Sequence, residues 1–367
     1  MPRIAVVFGT RPEIIKLAPI VRAARKFNSD IHLISTDQQN ELNAIALNDH
    51  EMRPKFSLGL MKPNQTLNSF LSSALSALEP ILAENDYSGV AVHGDTATAL
   101  AASLTAFNLN IPVFHIEAGL RSFDLQNPFP EEMNRKLISQ LATLHFAPTD
   151  RAKTNLQNEG ISSQSIYQVG NTIVDVVNQV REDNRERIAS SNIITKFSQF
   201  SSNVLITVHR RENHEKIFEL VNALKILSVS HPEVAFWIPV HPNPNVAREL
   251  EPLRIIGPNI KLVLPMDYFD FLAAMSHSNF LVTDSGGVQE EATVIKKYCL
   301  VLRDFTERPE LIDSGMGELV KFSSENIVQA IEKQLDFPFD LQSKNSPFGD
   351  GGSAERICSI LNENCYL

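Results

Sequence analysis

Residues 3–16 read RIAVVFGTRPEIIK, and the reading of this stretch decides the fold. The apolar run 4–8 stops at Gly9-Thr10-Arg11, too soon for the core of a signal peptide, and reads as a buried first strand. Gly9-Thr10-Arg11-Pro12-Glu13 then opens a helix, because Pro12 takes a first-turn position that needs no N–H donor. Lys16 follows one turn later. The N–H groups of this turn, with Arg11 and Lys16, could hold a diphosphate; the same turn could equally carry solvated charges. It is not a Walker loop, since the glycine-rich run and the Gly-Lys-Ser/Thr ending are absent.

Outward from this stretch, short apolar runs at 31–36, 89–93 and 111–116 alternate with helical spacing at 14–26 and 66–84 and with the Ala/Leu-rich 96–107. Such alternation predicts parallel strands joined by crossover helices. A second series of strand-like runs, 204–208, 235–240, 260–264, 280–283 and 299–303, begins after Gly170-Asn171-Thr172. A chain of 367 residues exceeds what one core normally organises. We therefore expect an α/β protein of two Rossmann-like doubly wound domains, 1–170 and 171–351, with a helix and loop over 181–202 inside the second.

Composition narrows the partners. The formal net charge of −10 disfavours nucleic acid or an anionic membrane surface, so an anionic ligand must find local positive charge. No apolar stretch approaches the roughly 20 residues that span a bilayer. Cys299, Cys358 and Cys365 are odd in number and lack zinc-type spacing, which points to a soluble protein of a reducing cytoplasm.

In open parallel sheets ligands sit beyond the carboxyl ends of strands, and the chemically useful residues fall there. Asp284-Ser285-Gly286-Gly287 ends a strand and opens a helix; its paired glycines allow close phosphate approach, and Glu291, one turn in, could accept ribose hydroxyls. His93-Gly94-Asp95-Thr96, His115-Ile116-Glu117 and Pro130-Glu131-Glu132 bring carboxylates to strand ends or loops of the first half. Clustered carboxylates raise one another's pKa and suit a base that takes a proton from carbon. The rival reading is a hard-ion metal site, which no His-x-x-Glu-type spacing supports. His209-Arg210-Arg211 sets a titratable ring beside two guanidiniums, where a hydrogen-bonded structural histidine is the plainer alternative.

Eight motifs, GTRPE (9–13, with Lys16), HGDT (93–96), HIEAGLR (115–121), PEEMNR (130–135), HRREN (209–213), HPNP (241–244), DSGGVQEE (284–291) and RDFTERPE (303–310), resemble in order those of the non-hydrolysing UDP-N-acetylglucosamine 2-epimerases. The likeness runs from residue 3 to about residue 351. It implies a glycosyltransferase-B-like fold with two domains facing one cleft, the helical 352–367 crossing back onto the first domain, and a homodimer. It further implies that Arg11, Lys16 and His209 approach the diphosphate, that Ser285, Gly286 and Gly287 bind phosphate, that Glu291 binds ribose, and that Phe271 lies near uracil and Arg308 near the sugar. Asp95, Glu117 and Glu131 would act at C2 while His209 assists departure of UDP, without metal or nicotinamide, in a route through 2-acetamidoglucal. The product would feed a bacterial surface polysaccharide.

Two rivals share this fold: an epimerase of a modified UDP-sugar such as a 2,3-diacetamido uronate, whose relatives usually open Gly-Ala-Arg-Pro-Gln where this chain has Glu13, and a glycosyltransferase. Two departures from the resembled pattern also stand out. Asp37-Gln38-Gln39-Asn40 replaces the usual Gly-Gln-His-Arg, and Asn64 replaces an Arg before Gln65-Thr66, both where many bacterial members hold an activating nucleotide sugar. Gln38, Arg210 and His241 are the remaining candidates for such a site. A charge-assisted bond is worth roughly 1.5–3 kcal/mol, so Asn64 costs an activator about tenfold to hundredfold in affinity. We predict that conversion of pure UDP-N-acetylmannosamine starts without a lag; a lag abolished by a trace of UDP-N-acetylglucosamine would overturn this.

Overall fold

The chain was analysed as a computed structural model, which describes residues 3–27, 29–37, 40–62, 64–240 and 244–364. Gln38, Gln39, His241-Pro242-Asn243 and Cys365 lie outside the described residues. Two compact units are present, Met1–Val176 with Phe348–Leu367, and Val177–Pro347. The division falls inside the helix Thr172–Asp183, a few residues past the expected boundary at 170.

In the first unit the strands β1 (Arg3–Phe8), β2 (Asp30–Ser35), β3 (Phe56–Ser57), β4 (Gly89–His93), β5 (Val113–Ile116), β6 (Leu144–Ala147) and β7 (Ile166–Gln168) form a parallel sheet. Their order is β3-β2-β1-β4-β5-β6-β7. β1 is apolar over nearly its whole length because helices cover both its faces: Ile4, Val6 and Phe8 meet the helix Arg11–Lys26, while Ala5 and Val7 meet the helices Leu67–Glu84 and Ala97–Asn108. The chain crosses outward from β1 to β3 and then returns to lay β4 on the other side of β1. That reversal leaves the carboxyl ends of β1 and β4 open to a ligand.

The second unit repeats the plan with β8 (Ser202–Thr207), β9 (Val234–Pro239), β10 (Ile260–Val263), β11 (Phe280–Thr283), β12 (Cys299–Val301) and β13 (Gly317–Leu319), in the order β10-β9-β8-β11-β12-β13. Here the reversal lies between β8 and β11, whose registers run Phe280 to Thr283 against Val204 to Thr207. Both units are thus doubly wound. The segment expected to be one helix and a loop forms the end of Thr172–Asp183 and two short helices, Arg185–Ala189 and Asn192–Phe197. Among the described residues no helix is long and apolar enough to cross a membrane.

The helix Ser353–Asn364 belongs to the first unit. Ala354, Ile357, Cys358 and Leu361 recur at helical spacing and join the core cluster of Ile14, Leu17 and Ile20. Burying an aliphatic side chain of this size stabilises by about 1.5–3 kcal/mol. The Asp175 carboxylate accepts from the N–H groups of Ser353 and Ala354, at 3.3 and 3.0 Å, and so satisfies donors that the helix start leaves unpaired. The Cys358 thiol donates to the Ile20 carbonyl, and burial pushes it up to about 12.

Behind β5 the backbone turns sharply through Glu117, at φ +61°, and Gly119, at φ +92°. A Cβ at Gly119 would lie 2.2 Å from the Ala152 carbonyl oxygen. Left-handed backbone and overlap together make Gly119→Ala destabilising by about 2–5 kcal/mol. Urea denaturation followed by circular dichroism should show the lowered midpoint; an unchanged midpoint would mean that the helix carrying Ala152 shifts freely.

Candidate active site

The first unit gathers its charged side chains at the open carboxyl ends of β1, β4 and β5. Glu13, one turn into the helix that follows β1, is buried, and its carboxylate accepts from Gly9 N (3.0 Å), Thr10 N (2.8 Å), Thr10 Oγ1 (2.7 Å) and Thr96 Oγ1 (2.8 Å). Burial raises its pKa to about 7 against the pull of these four donors. Lys16, one turn further, forms a buried ion pair with Glu117, which also accepts from Asn171 Nδ2 at 2.9 Å. His93 Nε2 stands 3.9 Å from the same carboxylate.

Asp95 follows β4 and is held from the helix Glu131–Leu141. Arg135 Nε donates to Asp95 Oδ2 at 2.8 Å, Arg135 Nη1 to Glu132 at 2.7 Å, and Asn134 Nδ2 to the Asp95 carbonyl at 2.8 Å. Glu131 is half-buried at the first position of that helix, four residues before Arg135 and so on its face. A Cβ on Gly94 would lie 3.8 Å from Glu117 Oε1, which sets Glu117 beside the turn that carries Asp95. Asp95, Glu117, Glu131 and Lys16 are therefore brought together. Arg11 is half-buried at the start of its helix.

Other residues of the same motifs build the scaffold. His115 is fully buried with Nε2 2.8 Å from the Gly94 carbonyl, and burial lowers it to about 3, so its ring is neutral. Arg121 makes a two-pronged pair with Glu159 at 2.9 and 2.6 Å.

In the second unit the organising group is Asp284, fully buried at the end of β11. Its carboxylate accepts from His209 N at 3.1 Å, Arg210 N at 3.0 Å and Asn213 Nδ2 at 3.0 Å. The His209 ring is left 38% exposed, with Nδ1 3.8 Å from Asp284. Loss of hydration around the ring lowers its pKa; Asp284 opposes that shift and Arg210 adds to it.

Ser285 caps the nine-residue helix Gly286–Val294. A Cβ at Gly286 would strike Arg308 Nη1 at 2.4 Å, so glycine there is a packing requirement. At Gly287 nothing lies within 4 Å, which leaves the helix start open to an anion. Arg308 is buried and divides its guanidinium between Glu290 and Glu307, both at 2.6 Å. Glu307 also takes Arg210 at 3.1 Å and Arg303 at 2.7 Å. Glu291 is buried on the helix that Ser285 opens, and Phe271 is half-buried in the first turn of Tyr268–His277. Sequence reasoning missed Glu13, Asn171, Arg135, Glu290 and Glu307 as organisers. Arg135 carried a signal in its spacing of four from Glu131, and Glu13 in its capping-box spacing of three from Thr10.

A model of the family described as UDP-N-acetylglucosamine 2-epimerase matches residues 22–362. The chain belongs to this family. It is 36% identical over 98% of its length to the UDP-N-acetylglucosamine 2-epimerase of Campylobacter jejuni, covering 97% of that protein. The structure of the Neisseria meningitidis enzyme bound to UDP-GlcNAc matches it with a TM-score of 0.92 at 38% identity, over 99% of this chain and 100% of that one. The Methanocaldococcus jannaschii enzyme, in complex with UDP-GlcNAc and UDP, matches with a TM-score of 0.86 at 36% identity, over 99% and 100% of the two chains. Within the epimerase family, the charged strand ends of this chain are the place to look for chemistry.

The backbone N–H groups of His209 and Arg210 both anchor the loop to Asp284, so replacing the ring leaves those bonds in place. We expect His209→Asn to lower kcat about 10²-fold or more, the range for losing a general acid or a diphosphate contact. Its denaturation midpoint should match the parent. A rate within a few-fold of the parent would leave the ring a structural role only.

Proposed function

We propose that this chain interconverts UDP-N-acetylglucosamine and UDP-N-acetylmannosamine by inversion at C2. The observation that carries the reading is the grouping of Asp95 and Glu117 with Lys16 at neighbouring strand ends of the first unit, with Glu131 opening the helix whose Arg135 holds Asp95. One carboxylate takes the C2 proton, the C–H electrons become the C1=C2 bond of 2-acetamidoglucal, and the C1–O bond breaks with its electrons leaving on UDP. Reprotonation on the other face and re-addition of UDP complete the inversion.

The C2 proton is only weakly acidic, so its removal needs a stabilised leaving group. The second unit supplies one. The helix start at Gly286 and Gly287, with Ser285 before it, His209 and the arginine cluster of Arg210, Arg303 and Arg308, favours a departing diphosphate. Arg11 adds charge from the first unit, Glu291 takes the ribose, Phe271 the uracil, and Arg308 faces the sugar. The buried free thiols of Cys299 and Cys358 support a cytoplasmic setting, and the family resemblance supports a homodimer.

In deuterium oxide both epimers should acquire deuterium at C2 during turnover, as read by proton NMR. Epimerisation with complete retention of the original C2 proton would overturn the elimination route.

A further inference from the structure

Glu13 has the position of a helix-capping glutamate, third in its helix after Thr10, and such residues ordinarily sit at the surface and close their own first turn. This one is 2% exposed and does more. While Oε2 collects Gly9 and Thr10, Oε1 receives the hydroxyl of Thr96, a residue 83 positions away at the end of the neighbouring strand. Thr96 directly follows Asp95 and also caps the helix Ala97–Asn108 through Ala99 N at 3.0 Å. Three residues beyond Glu13, on the same helical face, Lys16 pairs with Glu117 at the end of β5.

One face of one helix therefore reaches Glu117 directly and the residue that follows Asp95. We propose that Glu13 is a positioning residue: by bridging the ends of β1 and β4 it fixes Asp95 relative to Glu117, while Lys16 fixes Glu117 from the same turn. This rests on the proposed epimerisation. Asp95 is then pinned at three points, Thr96 by Glu13, its carbonyl by Asn134 and its carboxylate by Arg135. Displacements near 1 Å at a reacting group cost up to about 10²-fold in rate, so loss of the bridge falls on turnover and not on nucleotide binding.

The test removes the bridge from its far side. Thr96→Val deletes the hydroxyl, and with it the cap on Ala99 N, but leaves the Glu13 contacts with Gly9 and Thr10 intact; Thr96→Ser keeps the hydroxyl. The lost cap is read separately as a lower denaturation midpoint, and kcat is taken per folded molecule. We expect kcat for Thr96→Val to fall about tenfold to hundredfold, with KM and UDP affinity within about threefold of the parent, and Thr96→Ser to recover most of the rate. Glu13→Ala should lower kcat at least as far, and Glu13→Ala/Thr96→Val no further than Glu13→Ala alone, because the bond between Glu13 and Thr96 is lost in both single variants. Losses that multiply in the double variant, or a kcat per folded molecule that is unchanged in Thr96→Val, overturn the positioning role. C2 deuterium incorporation by the parent protein is measured alongside. If the parent fails to epimerise, the function has failed; if it turns over and the variants keep its kcat, only the role of Glu13 has.

Discussion

Where strand order reverses in an open parallel sheet, two neighbouring strands end beside an opening that their own crossovers do not cover. Their terminal N–H groups then need partners, since burying an unpaired donor costs about 1–3 kcal/mol. Each unit meets this demand with one buried carboxylate. Glu13 joins the end of β1 to the residue after Asp95, and Asp284 joins the end of β11 to the His209 loop. The chain repeats no sequence between the two places, yet the same requirement yields the same device. Asp95 lies next to a residue that Glu13 holds, and His209 lies on the backbone that Asp284 holds.

The two units differ in the charge they gather. In the first, carboxylates are held by single cations: Lys16 on Glu117 and Arg135 on Asp95. In the second, the three guanidiniums of Arg210, Arg303 and Arg308 are laced through the two carboxylates of Glu290 and Glu307 near a helix start. In an acidic protein an anionic nucleotide depends on such local cations and on helix-start N–H groups. In the proposed reaction, proton transfer from carbon and departure of a diphosphate fall to separate sets of residues.

The fold was legible because long buried strands and amphipathic helices leave periodic marks; β1, β4, β8 and β11 lie within one or two residues of the runs that announce them. β3, β6, β7 and β13 escaped, because each is two to four residues long and none lies in an unbroken apolar run like that of β11. Motif reading grouped Asp95, Glu117 and Glu131 in one half because strand ends converge whatever their spacing along the chain, but it set Lys16 at the diphosphate and did not announce its pairing with Glu117. It did not separate Glu131 from Glu132 by role: adjacent in sequence, one is half-buried at the helix start, while the other is fully buried and accepts from Ser122 N and Phe123 N at 3.0 and 3.1 Å. Nor does Thr96 announce that its hydroxyl meets Glu13. Such pairings depend on side-chain direction across strands, which no local pattern records.

The helix Ser353–Asn364 completes a core whose other members lie between Ile4 and Val169. The second unit is one uninterrupted segment, so all of its strands are synthesised before the residues that close the first unit. Order of synthesis and order of completion are therefore inverted. During that interval the face of the helix Arg11–Lys26 that will receive Ile357 and Leu361 is without its cover, and a nascent chain halted ahead of residue 353 carries every strand of the second unit while the core of the first is unfinished.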